Sequence, residues 1–307
     1  MTSGRSGLIE YHSQHASERD LPAARTERPV VKHERHTTRW FRYGIGVGGI
    51  VLALLVPAHG QAPASGWKYV APPAGQPDLQ GVWKVLNDAR LDVEPHAARP
   101  GIPAGPGVIV DPPDGKIPYQ PSALARRAEH YKNSRNPDPW KSADPFHKCY
   151  SPGVPRMTYS GWPFQIVQYE KGVVFLYEWM HQRRMAYYDV KGRELAPDSW
   201  NGDSRARWDG KTLVIDVTNQ NARTWFDSVG NYHSDALHVV ERYTMVDADT
   251  LDYEVTIEDP KVYTRPWKMK MPIHRQKNMP LLEYECQALL DEAGIEITWP
   301  RDEVEQP

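Results

Sequence analysis

The sequence predicts an all-β protein whose folded part is a single antiparallel barrel. Residues 251–258 alternate strictly between apolar and polar side chains, which is the period of a strand with one buried face. Roughly seven to ten strand-like segments follow one another at short spacing, with turn residues between them. Only one segment of the sequence favours a helix. This combination is typical of antiparallel barrels and sandwiches, and we expect a barrel.

Residues 1–62 predict a leader that precedes the folded domain. Its first part is polar and charged without a period, so we expect disorder there. Arg39 and Arg42 then precede an apolar run at residues 44–57, and Gly60-Gln61-Ala62 offers a small-residue cleavage site. We expect a secretory signal peptide, followed by a linker at residues 63–76. The alternative is a signal anchor, and contact with a membrane is expected only if the apolar run is retained.

The folded domain is predicted to span residues 77–290, with a C-terminal tail at residues 291–307. Its first strand contains Gly81-Val-Trp83, and a Gly-x-Trp at this place resembles the first strand of lipocalins. Dense prolines and glycines at residues 89–121 exclude long regular elements and predict an N-terminal wrap over the surface. Residues 122–133 begin with a serine cap and contain helix formers, so we expect one short helix there.

Two segments in the middle of the domain predict further strands. Residues 163–168 are apolar and short. Residues 173–188 form a longer run that carries Glu178, His181 and Arg184 among aromatic residues, so that both faces are mixed. A single strand of this composition is expected to line a cavity whose wall has polar spots.

The clearest prediction is a β-meander that holds a polar cluster. Residues 212–218, 237–245 and 251–258 read as three strands with turn residues between them. The loop between the first two strands carries His233 and Asp235. We therefore expect these polar side chains to be positioned by the edges of a sheet.

The chain has two cysteines, Cys149 and Cys286. In an exported protein an even number of cysteines favours a disulfide. Closing so long a loop is expected to stabilise the fold by about 4 kcal/mol in the chain-entropy model. Two unpaired buried thiols are the alternative.

Histidines and carboxylates give the strongest chemical signal. Imidazole beside carboxylate can exchange a proton near neutral pH or hold a divalent metal. In extended backbone His238 and Glu241 point to opposite faces unless a bulge intervenes. The spacing matches no zinc signature such as H-E-x-x-H, so we prefer proton transfer to metal binding. The alternative is that these residues only satisfy backbone groups in a long loop. The predicted catalytic residues are His233, Asp235, His238 and Glu241.

A second set of residues is predicted to hold a ligand. The chain has 11 Trp and 16 Tyr against 5 Phe, and rings with a polar handle suit a pocket wall as well as a core. Tyr243 and Tyr253 are also expected to face inward. Arg184, close to His181 in sequence, can hold the polar end of a ligand. The predicted substrate-binding residues are Tyr177, Trp179, His181, Arg184, Trp225 and Asp227.

Composition and missing motifs argue against several functional classes. With a net charge of −2, the chain lacks the basic block of a general nucleic-acid binder. It contains no G-x-S-x-G, P-loop or dinucleotide motif. We therefore expect no cofactor and no nucleic-acid partner, and a small molecule as the ligand.

Several motifs along the domain form a distinctive pattern. They include Pro77-Asp-Leu-Gln-Gly-Val-Trp83, Cys149 with Pro152-Gly-Val-Pro-Arg156, His233-Ser-Asp-Ala-Leu-His238 with Glu241-Arg-Tyr243, and Thr256-Ile-Glu-Asp-Pro260 with Tyr263-Thr-Arg-Pro-Trp267. In this pattern the chain resembles a widespread family of exported bacterial proteins. The resemblance implies export and brings no established chemistry. That family often carries Gly-Arg-x-His-Pro where this chain has Gly192-Arg-Glu-Leu-Ala-Pro197, so no histidine acts at that place.

These observations predict a periplasmic or secreted protein that handles a small aromatic or otherwise apolar molecule. As an enzyme it would be a cofactor-free acid–base catalyst of the lyase, isomerase or hydratase type. One alternative is a non-catalytic ligand carrier or envelope protein, in which the histidines are solvated or structural. Another alternative is a metal-dependent enzyme that uses the same histidines.

Overall fold

The computed structural model describes residue 72 and residues 75–134, 144–188 and 197–292. All of these residues belong to one structural unit. The predicted leader, most of the predicted linker and most of the predicted C-terminal tail lie outside the described residues. Within the described ranges, no helix is long and apolar enough to span a membrane.

Nine strands close into a barrel. In chain order the strands of the sheet are β1 (Gly81–Lys84), β2 (Ile109–Asp111), β3 (Phe164–Tyr169), β4 (Gly172–Tyr177), β5 (Arg183–Tyr187), β6 (Asp203–Asp209), β7 (Thr212–Thr218), β8 (His238–Asp247), β9 (Thr250–Glu258) and β10 (Trp267–Arg275). The ring runs from β1 through β3 to β10 in order, and pairing of β1 with β10 closes it. The short strand β2 is not part of the ring and pairs with the first half of β10.

The prediction of an all-β barrel is confirmed, but the barrel is not wholly antiparallel. Strands β5 and β6 run parallel, with Ala186 opposite Ser204 and Tyr187 opposite Arg205. All other neighbours in the ring are antiparallel. Parallel neighbours cannot be joined by a tight hairpin, and β5 and β6 are accordingly separated by 15 residues in the sequence.

The predicted strand at residues 173–188 is wrong because the chain reverses within it. Met180 and His181 have φ angles of 53° and 48°, which turn the chain between β4 and β5. The amide of Tyr177 donates to the carbonyl of Gln182 across this turn at 2.8 Å. Trp179 and Met180 continue the run of apolar and aromatic residues into the turn, and the turn contains no glycine or proline. The sequence pattern therefore gives no sign of it. The other predicted strands agree with β3, β7, β8 and β9 to within two residues.

Trp83 of the Gly-x-Trp motif is fully buried in the first strand of the barrel. Its indole Nε1 donates to the carbonyl of Leu79 at 2.8 Å. The guanidinium of Arg275 lies over the ring, 4.1 Å from its centroid. Burying so large a side chain contributes about 1.5–3 kcal/mol, and the hydrogen bond removes the cost of an unpaired indole N–H.

Residues 151–160 form a loop that is buried along its whole length, and we call it the buried segment. It contains a short 3₁₀ helix at Arg156–Tyr159. The side chain of Gln220 bonds both the amide and the carbonyl of Val154 at 2.9 Å, so backbone groups far from water remain paired. Tyr159 Oη donates to the carbonyl of Phe226 at 3.0 Å.

Helical structure is confined to short elements. The predicted helix is confirmed as α1 (Leu124–Ser134), and α2 (Cys286–Glu292) is a second, shorter one. The predicted disulfide is confirmed, since Cys149 and Cys286 are bonded with their Cα atoms 5.5 Å apart. The bond ties the start of α2 to the residues that precede the buried segment.

Candidate functional site

A buried ion pair crosses the interior of the barrel. The burial patterns of β5 and β8 point Arg184 and Glu241 inward. Arg184 Nη2 donates to Glu241 Oε2, and Arg184 Nε donates to Ser204 Oγ at 2.7 Å. Both charged side chains are almost completely buried. A pair removed from water to this degree is costly unless its remaining hydrogen-bonding groups are satisfied.

Two tyrosines satisfy the second oxygen of Glu241. Tyr243 Oη and Tyr253 Oη both donate to Glu241 Oε1, at 3.0 Å and 2.5 Å. Thr158 of the buried segment lies 3.4 Å from Tyr243 Oη. Burial raises the pKa of both phenols well above its ordinary value, and the negative charge of Glu241 raises it further. Both tyrosines therefore stay protonated and act as donors at neutral pH.

Two donors of this network remain unpaired. Arg184 Nη1 and Tyr177 Oη are buried and form no well-aligned hydrogen bond among the described residues, although Tyr177 lies close enough to the side chains of Arg184 and Thr158 for both to lower its pKa. Burial raises the pKa of Tyr177, which keeps its hydroxyl protonated. Buried polar groups in proteins are usually paired, so two unpaired donors in one network are unusual. They provide a place where an acceptor oxygen of a ligand can bind.

A surface cleft beside the parallel pair of strands is lined by two residues of this network. Strands β5 and β6 are registered over only two residue pairs. A cleft of about 400 Å³ lies at this place, and Arg184, Ser204 and Trp200 are among the residues that line it. The cleft therefore reaches two residues of the buried network from outside the barrel.

Three predicted site residues come together here, namely Glu241, Arg184 and Tyr177. The other members of the network are Tyr243, Tyr253, Ser204 and Thr158. Tyr243 and Tyr253 are predicted from the sequence to face inward, but not to contact Glu241. Ser204 is not among the residues predicted from the sequence. The alternation of buried and exposed residues in β6 places it inside the barrel, and this alternation is the signal that could have identified it. Thr158 lies in a proline-rich stretch that gives no periodic signal.

His233 is held in a structural role. It is 1 % exposed, and its Nε2 lies 2.6 Å from Thr224 Oγ1. Its Nδ1 lies 2.8 Å from the carbonyl of Ser234, which can only accept, so Nδ1 carries the proton and Nε2 accepts from Thr224. Burial lowers the pKa of His233, so the ring is neutral at neutral pH. Both ring nitrogens are occupied by the protein itself.

The other predicted polar residues lie elsewhere. His238 lies on the outer face of β8, 3.3 Å from both Asp216 and Glu258 on the neighbouring strands. Asp235 is exposed and pairs with Lys261 at 2.7 Å. The side chain of His181 is about half exposed, and it lies 3.4 Å from Glu285.

The hypothesis that His181, His233 and His238 meet in one cavity is therefore wrong. Strand β8 pairs without a bulge from His238 to Met245, so His238 and Glu241 point to opposite faces. His181 lies in the turn after β4, and His233 is fixed in the loop before β8. Closeness in sequence does not bring these side chains together. In the ranges that the structure describes, no group of three or more His, Cys, Asp or Glu residues is arranged to hold a metal.

Asp227 organises the loop before β8 instead of facing a ligand. It is fully buried and accepts from the amides of Val93, Val229 and Asn231 at 3.1–3.2 Å. The side-chain amide of Asn231 donates a further bond at 2.6 Å. Burial raises the pKa of Asp227 to about 6, and the charge of Asp92 adds to the increase.

Trp179 and Trp225 pack in aromatic clusters outside this network. Trp179 stacks on Phe146 with a centroid distance of 4.1 Å, and Trp225 stacks on His130 at 4.6 Å. Of the aromatic residues predicted to bind a ligand, Tyr177 alone belongs to the network inside the barrel.

We expect His233→Gln to reduce the free energy of unfolding by about 1–3 kcal/mol, because it leaves the Thr224 hydroxyl or the Ser234 carbonyl without its partner. His238→Gln is the matched control on the outer face, and it is expected to change stability by less than about 0.5 kcal/mol. Urea denaturation midpoints measure both effects. Equal and small shifts in the two variants would contradict the structural role of His233.

Comparison with known proteins does not add to this picture. No protein-family model matches the chain, and no curated protein matches it. The resemblance to exported bacterial proteins therefore stays a prediction, and the functional proposal rests on the geometry of the site.

Proposed function

We propose that this is an exported protein that binds a small, neutral, aromatic or otherwise apolar molecule inside its barrel. A carbonyl oxygen of the ligand accepts hydrogen bonds from Arg184 Nη1 and Tyr177 Oη. The observation that carries the proposal is that both donors are buried in one network and unpaired among the described residues.

The charge balance of the network favours a neutral ligand. Glu241 already compensates the charge of Arg184. A carboxylate ligand would bring a second negative charge close to Glu241 in a region of low dielectric, where repulsion is strong. A carbonyl oxygen satisfies the two donors without adding a charge.

The aromatic side chains packed near the two donors suit an apolar ligand. Phe175 lies beneath the Arg184 guanidinium at 5.3 Å, and Phe164 and Tyr243 lie within 6.2 Å and 5.6 Å of the Phe175 ring. The cleft beside β5 and β6 is the route by which we propose that the ligand enters. Small-molecule sites commonly combine such apolar walls with a few fixed polar groups.

Binding without catalysis is the leading form of this proposal. An acid–base enzyme needs a group that exchanges its proton near neutral pH. His233 and His238 lie away from the two donors, and burial raises the pKa of Tyr177. A carrier with structural or solvated histidines agrees with these positions. A lyase, isomerase or hydratase with these histidines as catalysts has no geometric support.

Export to the periplasm or the medium is part of the proposal. Disulfides form and persist in oxidising compartments, and Cys149 is bonded to Cys286. The lipocalin-like character of the barrel and the proline-rich wrap at its N-terminal side are likewise proposed. Lipocalins hold one small ligand in an eight-stranded barrel, and the ligand proposed here is of similar size.

Acetophenone binding tests this function, with ethylbenzene as the matched compound that lacks the oxygen. Calorimetric titration of the disulfide-bonded protein should show binding of acetophenone and much weaker binding of ethylbenzene. Tyr177→Phe removes one donor and keeps the ring, so we expect about fivefold to tenfold weaker binding of acetophenone. Because the hydroxyl forms no well-aligned hydrogen bond among the described residues, the stability of the variant should lie within about 0.5 kcal/mol of that of the wild type.

Tyr159→Phe is the control for this variant. Its hydroxyl donates to the Phe226 carbonyl, so its loss should cost about 1 kcal/mol in stability and leave acetophenone affinity unchanged. The proposal fails if acetophenone and ethylbenzene bind equally, or if Tyr177→Phe destabilises the protein as much as Tyr159→Phe does.

A further inference from the structure

A second pocket, of about 350 Å³, lies away from the barrel network. Arg90, Arg99 and Arg156 line it, together with Tyr131 near the end of α1 and Phe146. None of the described residues that line it is acidic. A concave site whose charged lining is entirely basic attracts anions.

Two of the three arginines of this pocket form ion pairs with carboxylates, and the charge of Asp227 also acts on Arg156. Asp92 pairs with Arg99, and Asp144 holds Arg156 through two bonds of 2.8 Å. Among the described residues, no carboxylate forms such a pair with Arg90. The pocket therefore keeps one guanidinium whose charge is available to a ligand.

Unpaired donors give a second, independent indication of a ligand. Arg156 is 1 % exposed and uses its two terminal nitrogens on Asp144 and Ser228. Its Nε is buried without a partner among the described residues, and the same is true of Arg99 Nε. A guanidinium donor that is buried and unpaired is expensive, and an oxyanion satisfies it well.

The two rings of the pocket define the rest of the ligand. The Arg99 guanidinium lies over Tyr131 at 5.7 Å from the ring centroid, and the Arg156 guanidinium lies over Phe146 at 4.9 Å. These contacts hold the guanidinium planes in place. Phe146 also stacks on Trp179 and is buried, so the aromatic surface in the wall is that of Tyr131. A ligand with an aromatic ring and an oxyanion complements both features.

We infer that this pocket is a binding site for a small aromatic carboxylate, distinct from the neutral-ligand site inside the barrel. The carboxylate lies between Arg90, Arg99 Nε and Arg156 Nε, and the ring packs against Tyr131. Its volume suits a molecule of one or two rings. The inference does not depend on the function proposed for the barrel.

Phenylacetate and its uncharged amide, phenylacetamide, test the inference by titration calorimetry on the full-length, disulfide-bonded protein. We expect phenylacetate to bind at least about tenfold more tightly than phenylacetamide, and the preference to fall as salt is added. Arg90→Gln should weaken phenylacetate binding about tenfold or more without loss of stability, because no described carboxylate loses its partner. Arg207→Gln is the matched control. Arg207 pairs with Asp216 on the outer face of the barrel, so this variant should have no effect on binding.

A second variant keeps the test decisive if Arg90→Gln does not fold. Arg99→Lys keeps a positive charge beside Asp92 but removes the unpaired guanidinium Nε, and it should weaken phenylacetate binding to a similar degree. Tyr177→Phe should leave phenylacetate affinity unchanged, and Arg90→Gln should leave acetophenone affinity unchanged, so that failure at one site is not read as failure at the other. The inference is overturned if phenylacetate does not bind at millimolar concentration, or if its affinity is unaffected in folded Arg90→Gln or Arg99→Lys protein.

Discussion

Glu241→Gln is expected to lower the free energy of unfolding by about 3–5 kcal/mol, which is the usual cost of leaving one partner of a buried ion pair uncompensated. The variant keeps the volume of the side chain but removes the charge that Arg184 faces inside the barrel. It also places an amide where Tyr243 and Tyr253 donate to a carboxylate. Urea denaturation of the purified protein measures the loss.

Two further variants separate charge burial from simple loss of a contact. Glu258→Gln removes a carboxylate from the outer face of β9 and should change stability by less than about 0.5 kcal/mol. Replacing both members of the buried pair, with Arg184→Met and Glu241→Gln together, should restore part of the stability that Glu241→Gln alone loses, since no charge then remains buried and the amide oxygen still accepts from Tyr243 and Tyr253. A Glu241→Gln variant as stable as Glu258→Gln would refute the uncompensated-charge account.

Loss of the disulfide is expected to have an effect of similar size. Cys149 and Cys286 are separated by 137 residues, so their bond removes a large amount of freedom from the unfolded chain. We expect the double variant Cys149→Ser, Cys286→Ser to lose about 2–5 kcal/mol, with the chain-entropy estimate at the upper end of that range. Thermal and urea midpoints of the oxidised wild type and the variant provide the comparison.

Reduction of the wild-type protein supplies the control. The reduced wild type should unfold at the same midpoint as the double serine variant, because both lack the bond and retain side chains of similar size. Unchanged midpoints after complete reduction, verified by thiol titration, would show that the bond adds no stability.

The strands could be predicted wherever one face is buried and the other meets water. Strands β7, β8 and β9 lie at the predicted places because their alternation directly reflects the inside and outside of the barrel. The turn between β4 and β5 could not be predicted in this way. It depends on positive φ at Met180 and His181, which are neither glycine nor asparagine and give no turn signal.

Some members of the candidate site could be predicted from the sequence, but Ser204, Thr158 and the arrangement could not. Glu241 and Arg184 are conspicuous as charged residues in apolar strands, yet 57 positions separate them. Only closure of the barrel brings them into contact, and the sequence does not specify which strands become neighbours. The predicted cluster of histidines and carboxylates does not form, for a different reason. His238 and Glu241 are close in sequence, but they point to opposite faces of β8.

The buried segment at residues 151–160 has a consequence for how this protein can change over evolutionary time. Most loops lie at the surface, where they absorb insertions and drift freely in sequence. Here a loop is enclosed by its neighbours, with Arg156 and Thr158 contacting two different polar clusters at its two sides. The side chains of the segment are therefore coupled to Asp144 and Tyr243. A change in the length of the segment, or in any of these side chains, requires a compensating change in another. New specificities can arise more readily in the exposed residues around the pocket and the cleft than in this segment, although it has no regular strand or long helix of its own.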